Sequence, residues 1–408
     1  MFFTRNKRIY LDYASATPLS LRVWERMEEV KDVYGNPSSV HGEGTEAKKL
    51  LKESRDSIGK TLLLSSSELI FTSGGTESNN LAILGVVRKA LAEGGSAHAV
   101  TTAIEHPSVL ECFFELEREG AEVTYLPVDK EGKVSVEDVR NAVKEETVLV
   151  SVMYANGEVG VIEPIRDIAR ALSELKKVKA REKTNGKAKR KGWNFVFHTD
   201  ASQAPLFLSV NGLGADLITL DAAKLYGPKG IGLLYKNHNV SLSPLFYGGG
   251  QEGTLRPGTE NLLLVAGFSE ALKEVEEKKK EHKRHAEKLQ KYFYNLLERD
   301  IPEAGINGSK KQRLPNNVNI SLVRNGKGID AEFLVVRLDR KGIACGTRSA
   351  CQGREEGISY VLTALGKNRE ESKSSLRFSF GKETRKEDIE KTVSTIRELL
   401  DTPLEVGE

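Results

Sequence analysis

The sequence predicts an α/β protein, with a large domain on a mainly parallel sheet flanked by helices and a smaller α/β C-terminal domain. Three observations carry this. Short apolar, strand-like runs alternate with helix-spaced apolar residues through about residue 265. Strands separated by helices in this way form parallel sheets covered on both faces. After a long helical pattern, the order changes to strand, helix, strand and helix. With 408 residues, the chain can hold two or three domains and a large core.

The elements follow in chain order. Residues 68–72 form a short strand that ends in Ser73-Gly74-Gly75, and Leu81, Leu84, Val87 and Leu91 then recur at helical spacing. Residues 99–104, 148–153, 195–199 and 217–220 are the next strands. A helix runs over about 262–297, and its middle, 273–291, is dense in charges of both signs. That pattern predicts a solvated face on a helix spanning two domains. Beyond it come a strand at 318–322 and a helix at 331–340. In the strand 376–380, Leu376, Phe378 and Phe380 share one face, with Arg377 and Ser379 on the other. Ile389, Val393, Ile396 and Leu400 line a last helix.

Composition excludes several classes. Hydrophobic residues at 39% and charged residues at 29% give a soluble globular balance, neither disordered nor collagen-like. With 61 Lys and Arg against 58 Asp and Glu, the net charge of +3 argues against a dedicated nucleic-acid or membrane-surface protein. No apolar run approaches the roughly 18 residues of a membrane helix, and the first residues lack a signal-peptide pattern. Cys112, Cys345 and Cys351 provide neither a disulfide framework nor a zinc spacing, so no metal is expected. The expected compartment is reducing and cytoplasmic. Residues 176–191 hold nine Lys or Arg against one Glu. They read as an exposed basic loop, with a docking patch for RNA or an acidic partner as the alternative.

Ligands of such sheets bind at the carboxyl ends of the strands. Lys224 follows one strand and precedes a Gly-Pro-Lys-Gly loop. A partly desolvated Lys there can form a Schiff base, although a surface Lys before a turn is the ordinary alternative. Asp200 ends another strand, where its carboxylate can pair with a protonated pyridine nitrogen or simply cap a helix. Gly74, Gly75 and Thr76 join a strand to a helix and offer N–H and hydroxyl donors to a phosphate. His106 follows a fourth strand, where an imidazole can stack on a flat ring, shuttle protons or serve structure alone.

In this order, and with the flanking words, the chain resembles the cysteine desulfurases of the class V aminotransferase superfamily. The matching stretches include Tyr10-Leu11-Asp12-Tyr13-Ala14, Gly35-Asn36-Pro37-Ser38-Ser39, Phe71 to Ser78, Glu105-His106 and Asp200-Ala201-Ser202-Gln203. Lys224 to Gly232, Gly248 to Glu252, Gly258 to Asn261, Arg348 to Cys351 and Ser375 to Ser379 complete them, in register almost end to end. The resemblance implies a fold-type I pyridoxal 5′-phosphate enzyme. Its large domain would span residues 15–262, and its small domain would combine 1–14 with 263–408.

It further implies that Lys224 carries the cofactor, Asp200 holds the pyridine nitrogen, Gln203 holds the phenolic oxygen and His106 stacks on the ring. Gly75 and Thr76 would bind the phosphate, and Asn156 would contact the cofactor. Thr259 would reach the phosphate of a neighbouring subunit, which implies a homodimer. Arg377 would pair with the substrate carboxylate, and Asn36 would lie beside the substrate. Cys351 would attack the sulfur of L-cysteine, leaving L-alanine and a persulfide. An iron–sulfur scaffold or a tRNA-thiolation enzyme would then accept that sulfur.

Some positions depart from the family pattern. Asp221 and Ala223 stand where Ser and His usually donate to the phosphate, Gly157 replaces a second Asn, and Gly253 and Pro257 replace Arg and Ser. The first change predicts weakened phosphate binding or a replacement donor. A selenocysteine lyase and a catalytically weakened scaffold are the competing expectations.

Overall fold

Six of the seven strands in the central sheet run the same way. In spatial order they are Leu69–Thr72, Gly232–Lys236, Leu217–Asp221, Val196–Asp200, Thr147–Ser151, His98–Thr102 and Glu122–Leu126, and only Gly232–Lys236 is antiparallel to its neighbours. This computed structural model describes residues 8–182, 194–347 and 358–401.

Successive residues of the strands enter opposite cores, as the pleat requires. Val100, Val150, Ile218 and Leu233 pack into one cluster, and Ala99, Leu149, Leu217 and Leu234 into the other. The sheet is therefore covered on both faces, and the expected α/β class is observed. The helix Gly75–Ala92 closes the second face with Leu81, Ile83, Leu84 and Val87.

A second core surrounds Asn317–Arg324 and Ser375–Ser379, which pair antiparallel, with Ala304–Ile306 added outside. The helices Ala331–Arg340 and Lys386–Asp401 cover it. The helix Leu262–Asp300 belongs to both cores: Val265, Phe268, Leu272 and Val275 lie in the first, and Leu289, Phe293, Leu296 and Leu297 in the second. The chain's early strand, Ile9–Leu11, pairs parallel with Ile343–Cys345 beside the second core and then leads Asp12 to Ser15 towards the main sheet.

Most expected elements are present, with ends shifted by one to three residues. Two strands of the central sheet escaped the sequence reading, as did the short strands Ile9–Leu11, Ala304–Ile306, Lys327–Gly328 and Ile343–Cys345 outside it. Glu122–Leu126 is an edge strand, with only Leu126 buried. Gly232–Lys236 directly follows the glycine loop, and Gly232 is pressed against Gly74, where a Cβ would lie 2.4 Å from the Gly74 carbonyl carbon. The basic segment also differs from the loop expected. The helix Ile165–Glu182 continues through its first residues because Lys176 is held: its Nζ lies 4.5 Å over the Phe195 ring and 3.6 Å from Asp216. Residues 183–193 lie outside the described residues.

Candidate active site

The carboxyl ends of the parallel strands meet in a cleft of about 340 Å³. It is lined by Gly75, Thr76, His106, Asn156, Asp200, Gln203, Lys224 and Arg377, eight of the residues singled out from the sequence. Two larger, more open grooves, of about 670 and 760 Å³, hold none of them. The clustering follows from topology. Each residue sits just past a strand or on the C-terminal strand that faces the same opening, where Arg377 bridges to Gly346.

Lys224 ends a short turn after Leu217–Asp221, and its Nζ donates to the carbonyls of Ala14, at 3.1 Å, and Ser15. Burial lowers its pKa and nearby Arg377 adds to that, while Asp221, Asp200 and Asp12 oppose it. An amine so placed gives up its proton more readily than a surface Lys. Gln203 Nε2 also donates to the Ala14 carbonyl, at 2.9 Å. A Cβ at Gly157 would lie 3.1 Å from that same Nε2, so the missing side chain at 157 leaves Gln203 its room.

Asp200 is fixed by two donors, the Ser202 N–H to Oδ1 at 2.9 Å and Asn79 Nδ2 to Oδ2 at 2.8 Å. Asn79 Nδ2 also reaches Ser108 Oγ at 2.9 Å, and Ser108 Oγ lies 2.8 Å from His106 Nδ1. His106 and Asp200 are thereby tied through Asn79 and Ser108. The Ser108 N–H donates to Nδ1 at 3.1 Å, which places the proton of neutral His106 on Nε2. The His106 residue is exposed at the cleft mouth. Its ring still stands close to protein atoms, and desolvation lowers its pKa.

Asn156 is buried, and its amide is committed to the backbone. Nδ2 donates to the Ile104 carbonyl at 2.9 Å, and Oδ1 accepts from the N–H groups of Glu158 and Val159 at 2.8 Å each. It lines the cleft by holding this turn. Arg377 is 6% exposed, and its NH2 group donates to Asp12 Oδ1 at 2.8 Å and Ser15 Oγ at 2.6 Å. Its NH1 group donates to the Gly157 carbonyl at 3.2 Å. Its Nε is buried with no partner among the described residues.

Two predicted residues do not line the cleft. Asn36 is exposed and accepts from the Ser38 N–H at 2.9 Å, and Thr259 is exposed on the loop before the long helix. Cys351 lies outside the described residues. The other two thiols are buried, and burial pushes each up to about 12, so neither is a thiolate at neutral pH.

Sequence reasoning missed Asn79, Ser108, the pair Asp12 and Ser15, and Glu105. Glu105 is fully buried on the cleft wall. Its Oε1 accepts from Thr102 Oγ1 and the Met153 N–H at 2.8 Å each, and Tyr360 donates to its backbone carbonyl. Desolvation raises its pKa to about 8. The folded protein thus retains a proton that the unfolded chain releases near 4.5. Between those values the unfolded state binds fewer protons, so this group's contribution to stability falls as pH rises from about 5 to 8. Buried Glu163, also raised to about 8, acts with the same sign. Glu105→Gln should therefore flatten the stability curve in urea denaturation across that window. A slope equal to that of the wild type would show that Glu105 carries no such proton.

Comparison with known proteins places this geometry. The model of the aminotransferase class-V family matches residues 9–392. A cysteine desulfurase IscS from Dictyoglomus turgidum is 38% identical over 399 residues, covering 97% of this chain and 95% of the relative. A solved NifS-like protein superposes with a TM-score of 0.86 at 32% identity, covering 97% of this chain and 99% of its own. The structure of SspA in complex with cysteine gives a TM-score of 0.74 at 32% identity, covering 92% of this chain and 99% of the other.

Proposed function

The chain belongs to the class-V aminotransferase family, and from that membership we propose how it works: it is a pyridoxal 5′-phosphate-dependent cysteine desulfurase acting on L-cysteine. The observation that carries this is the single cleft holding a depressed Lys224, a doubly anchored Asp200, Gln203, His106 and Arg377.

The donor set fits the cofactor. A cradle at Gly75 holds room that a Cβ would fill, with the buried Ser202 hydroxyl beside it unpartnered among the described residues. When bound, the cofactor supplies an electron sink for the bonds around the substrate's α-carbon. Lys224 would hold it and then move a proton at Nζ. Asp200, locked by Asn79 and Ser202, would keep the pyridine nitrogen protonated, and Gln203 would donate to the phenolic oxygen. His106 would lie against the ring, with Gly75 and Thr76 at the phosphate. Asn156 would shape the wall beside it. Arg377 would receive the substrate carboxylate, a task suited to a rigid guanidinium fork.

Cys351 is the proposed sulfur acceptor. Its thiolate attacks the substrate sulfur, the carbon–sulfur bond breaks with its electron pair left on the carbon side, that carbon takes up a proton, and L-alanine leaves behind a Cys351 persulfide. The persulfide then passes to an acceptor protein of iron–sulfur assembly or tRNA thiolation. The proposed architecture keeps residues 15–262 as the cofactor domain and groups 1–14 with 263–408. A homodimer is proposed in which Thr259 reaches the neighbouring subunit, with Asn36 beside the substrate. It is supported by the exposure of Tyr34, Val40 and Tyr247, at 82%, 99% and 89%. A cytoplasmic setting is proposed as well; among the described residues no helix is long and apolar enough to cross a membrane. The basic stretch 176–191 is proposed as a solvated segment, with RNA or an acidic partner as its alternative ligand.

The test is alanine release from L-cysteine by cofactor-loaded protein, with Cys351→Ala alongside. Alanine from the wild type and none from the variant is the expected result. Release by both would remove Cys351 from the reaction. Silence from both would point to another amino-acid substrate or to the scaffold reading.

A further inference from the structure

Neither of the family's usual side-chain phosphate donors is present at 221 and 223, and the structure shows what occupies their place. The Asp221 carboxylate sits at the first turn of the helix Gly75–Ala92. Its Oδ2 accepts from the Gly75 N–H at 3.3 Å, and its Oδ1 accepts from the Ala223 N–H at 2.9 Å. Free N–H groups and the positive end of the helix favour an anion there, and a carboxylate already holds the seat. Across from it stands Ser202, which is 8% exposed. Its backbone N–H is fixed by Asp200, but its Oγ is buried with no hydrogen-bond partner among the described residues. That Oγ and Asp221 Oδ2 face the same spot, 3.2 and 3.3 Å from where a Cβ of Gly75 would lie. Both residues line the cleft.

A buried hydroxyl without a partner is costly, and an arriving acceptor would remove that cost. A carboxylate and a phosphate dianion cannot share one N–H without strong repulsion. Resting on the reading of this cleft as a pyridoxal phosphate site, we propose that Ser202 is the replacement phosphate donor. Asp221 is a competing internal anion that releases the Gly75 N–H before the phosphate seats. The cradle is then gated by the exchange of one anion for another. Its preference for phosphorylated over unphosphorylated pyridoxal depends on Ser202 and is held down by Asp221.

The experiment is a fluorescence titration of cofactor-free full-length protein with pyridoxal phosphate and, separately, with pyridoxal. It compares the wild type, Ser202→Ala, Ser202→Thr, Asp221→Asn and Asp221→Ser. Ser202→Ala should bind pyridoxal phosphate roughly tenfold more weakly and pyridoxal unchanged, and Ser202→Thr should restore affinity. Asp221→Asn and Asp221→Ser should each tighten pyridoxal phosphate roughly tenfold more than pyridoxal, whose binding reports the smaller effect of the lost charge on Lys224. The proposal is overturned if Ser202→Ala matches the wild type or weakens both ligands alike, or if neither Asp221 variant tightens the phosphorylated ligand more than pyridoxal. A wild type that binds neither ligand would overturn the cofactor reading, and this proposal with it.

Discussion

Lys224→Ala should lower alanine release from L-cysteine by about a thousandfold or more, because one amine both holds the cofactor and carries a proton in the proposed reaction. The structure gives the reason for the size. Lys224 Nζ is partly buried at the end of a strand and held by two carbonyls, Ala14 and Ser15, and desolvation depresses its pKa. Among the described residues no other Lys lines the cleft to replace it. Lys224→Arg should fail almost as badly, since a guanidinium stays protonated at any working pH. The visible absorption of the loaded protein should change in both variants, which separates lost chemistry from lost folding. A variant retaining a tenth of wild-type turnover would sink the assignment.

The second large effect is expected at Arg377. Arg377→Ala should reduce kcat/KM by about a hundredfold to a thousandfold, with most of the loss in KM, because a charge-assisted pair to the substrate carboxylate is removed. It should also destabilise the fold by roughly 1–3 kcal/mol. Asp12 and Ser15 would lose their donor, and the Gly157 carbonyl would lose one too. Arg377→Lys should fall between, since one ammonium cannot span Asp12, Ser15 and a carboxylate at once. Steady-state kinetics with urea denaturation reads both effects. Loss confined to kcat at unchanged KM would argue that Arg377 does not meet the substrate.

Much of the site was legible because of what a parallel sheet does to a sequence. Each apolar run marks a strand, and the polar residue just beyond it is delivered to one edge. Gly75, His106, Asp200 and Lys224 were found in this way, whereas Arg377, Gln203 and Asn156 came from the family resemblance, with alternation along its strand agreeing for Arg377. The burial of Cys112 is also readable from its apolar neighbours Leu110, Phe113 and Phe114. What stayed hidden depends on meetings between distant segments. Asn79 reads as one more helical residue until Ser108 and Asp200 arrive on either side of it. The carboxyl group of Glu105 acquires its raised pKa only when the fold buries it, a desolvation that outweighs the opposing hydrogen bonds from Thr102 and Met153. Gly232–Lys236 was missed because it runs against the others and begins where a glycine loop ends.

The strap from Ile9 to Ser15 has a consequence for the order of biosynthesis. It supplies the carbonyl that receives both Gln203 and Lys224, and it grips Arg377 and Ser379 some 365 residues further on. On a ribosome adding about 5–20 residues per second, that strap waits roughly 20–70 s for its last partner. The nascent chain can build most of its central sheet in that time, yet the chamber stays without its floor until the final strand emerges. Competence to receive the substrate carboxylate in the proposed reaction therefore arrives near the end of translation. A chain halted before Ser375–Ser379 would be a sheet without a working chamber, its Asp12 and Ala14 left without the Arg377 and Ser379 contacts and open to proteases and chaperones.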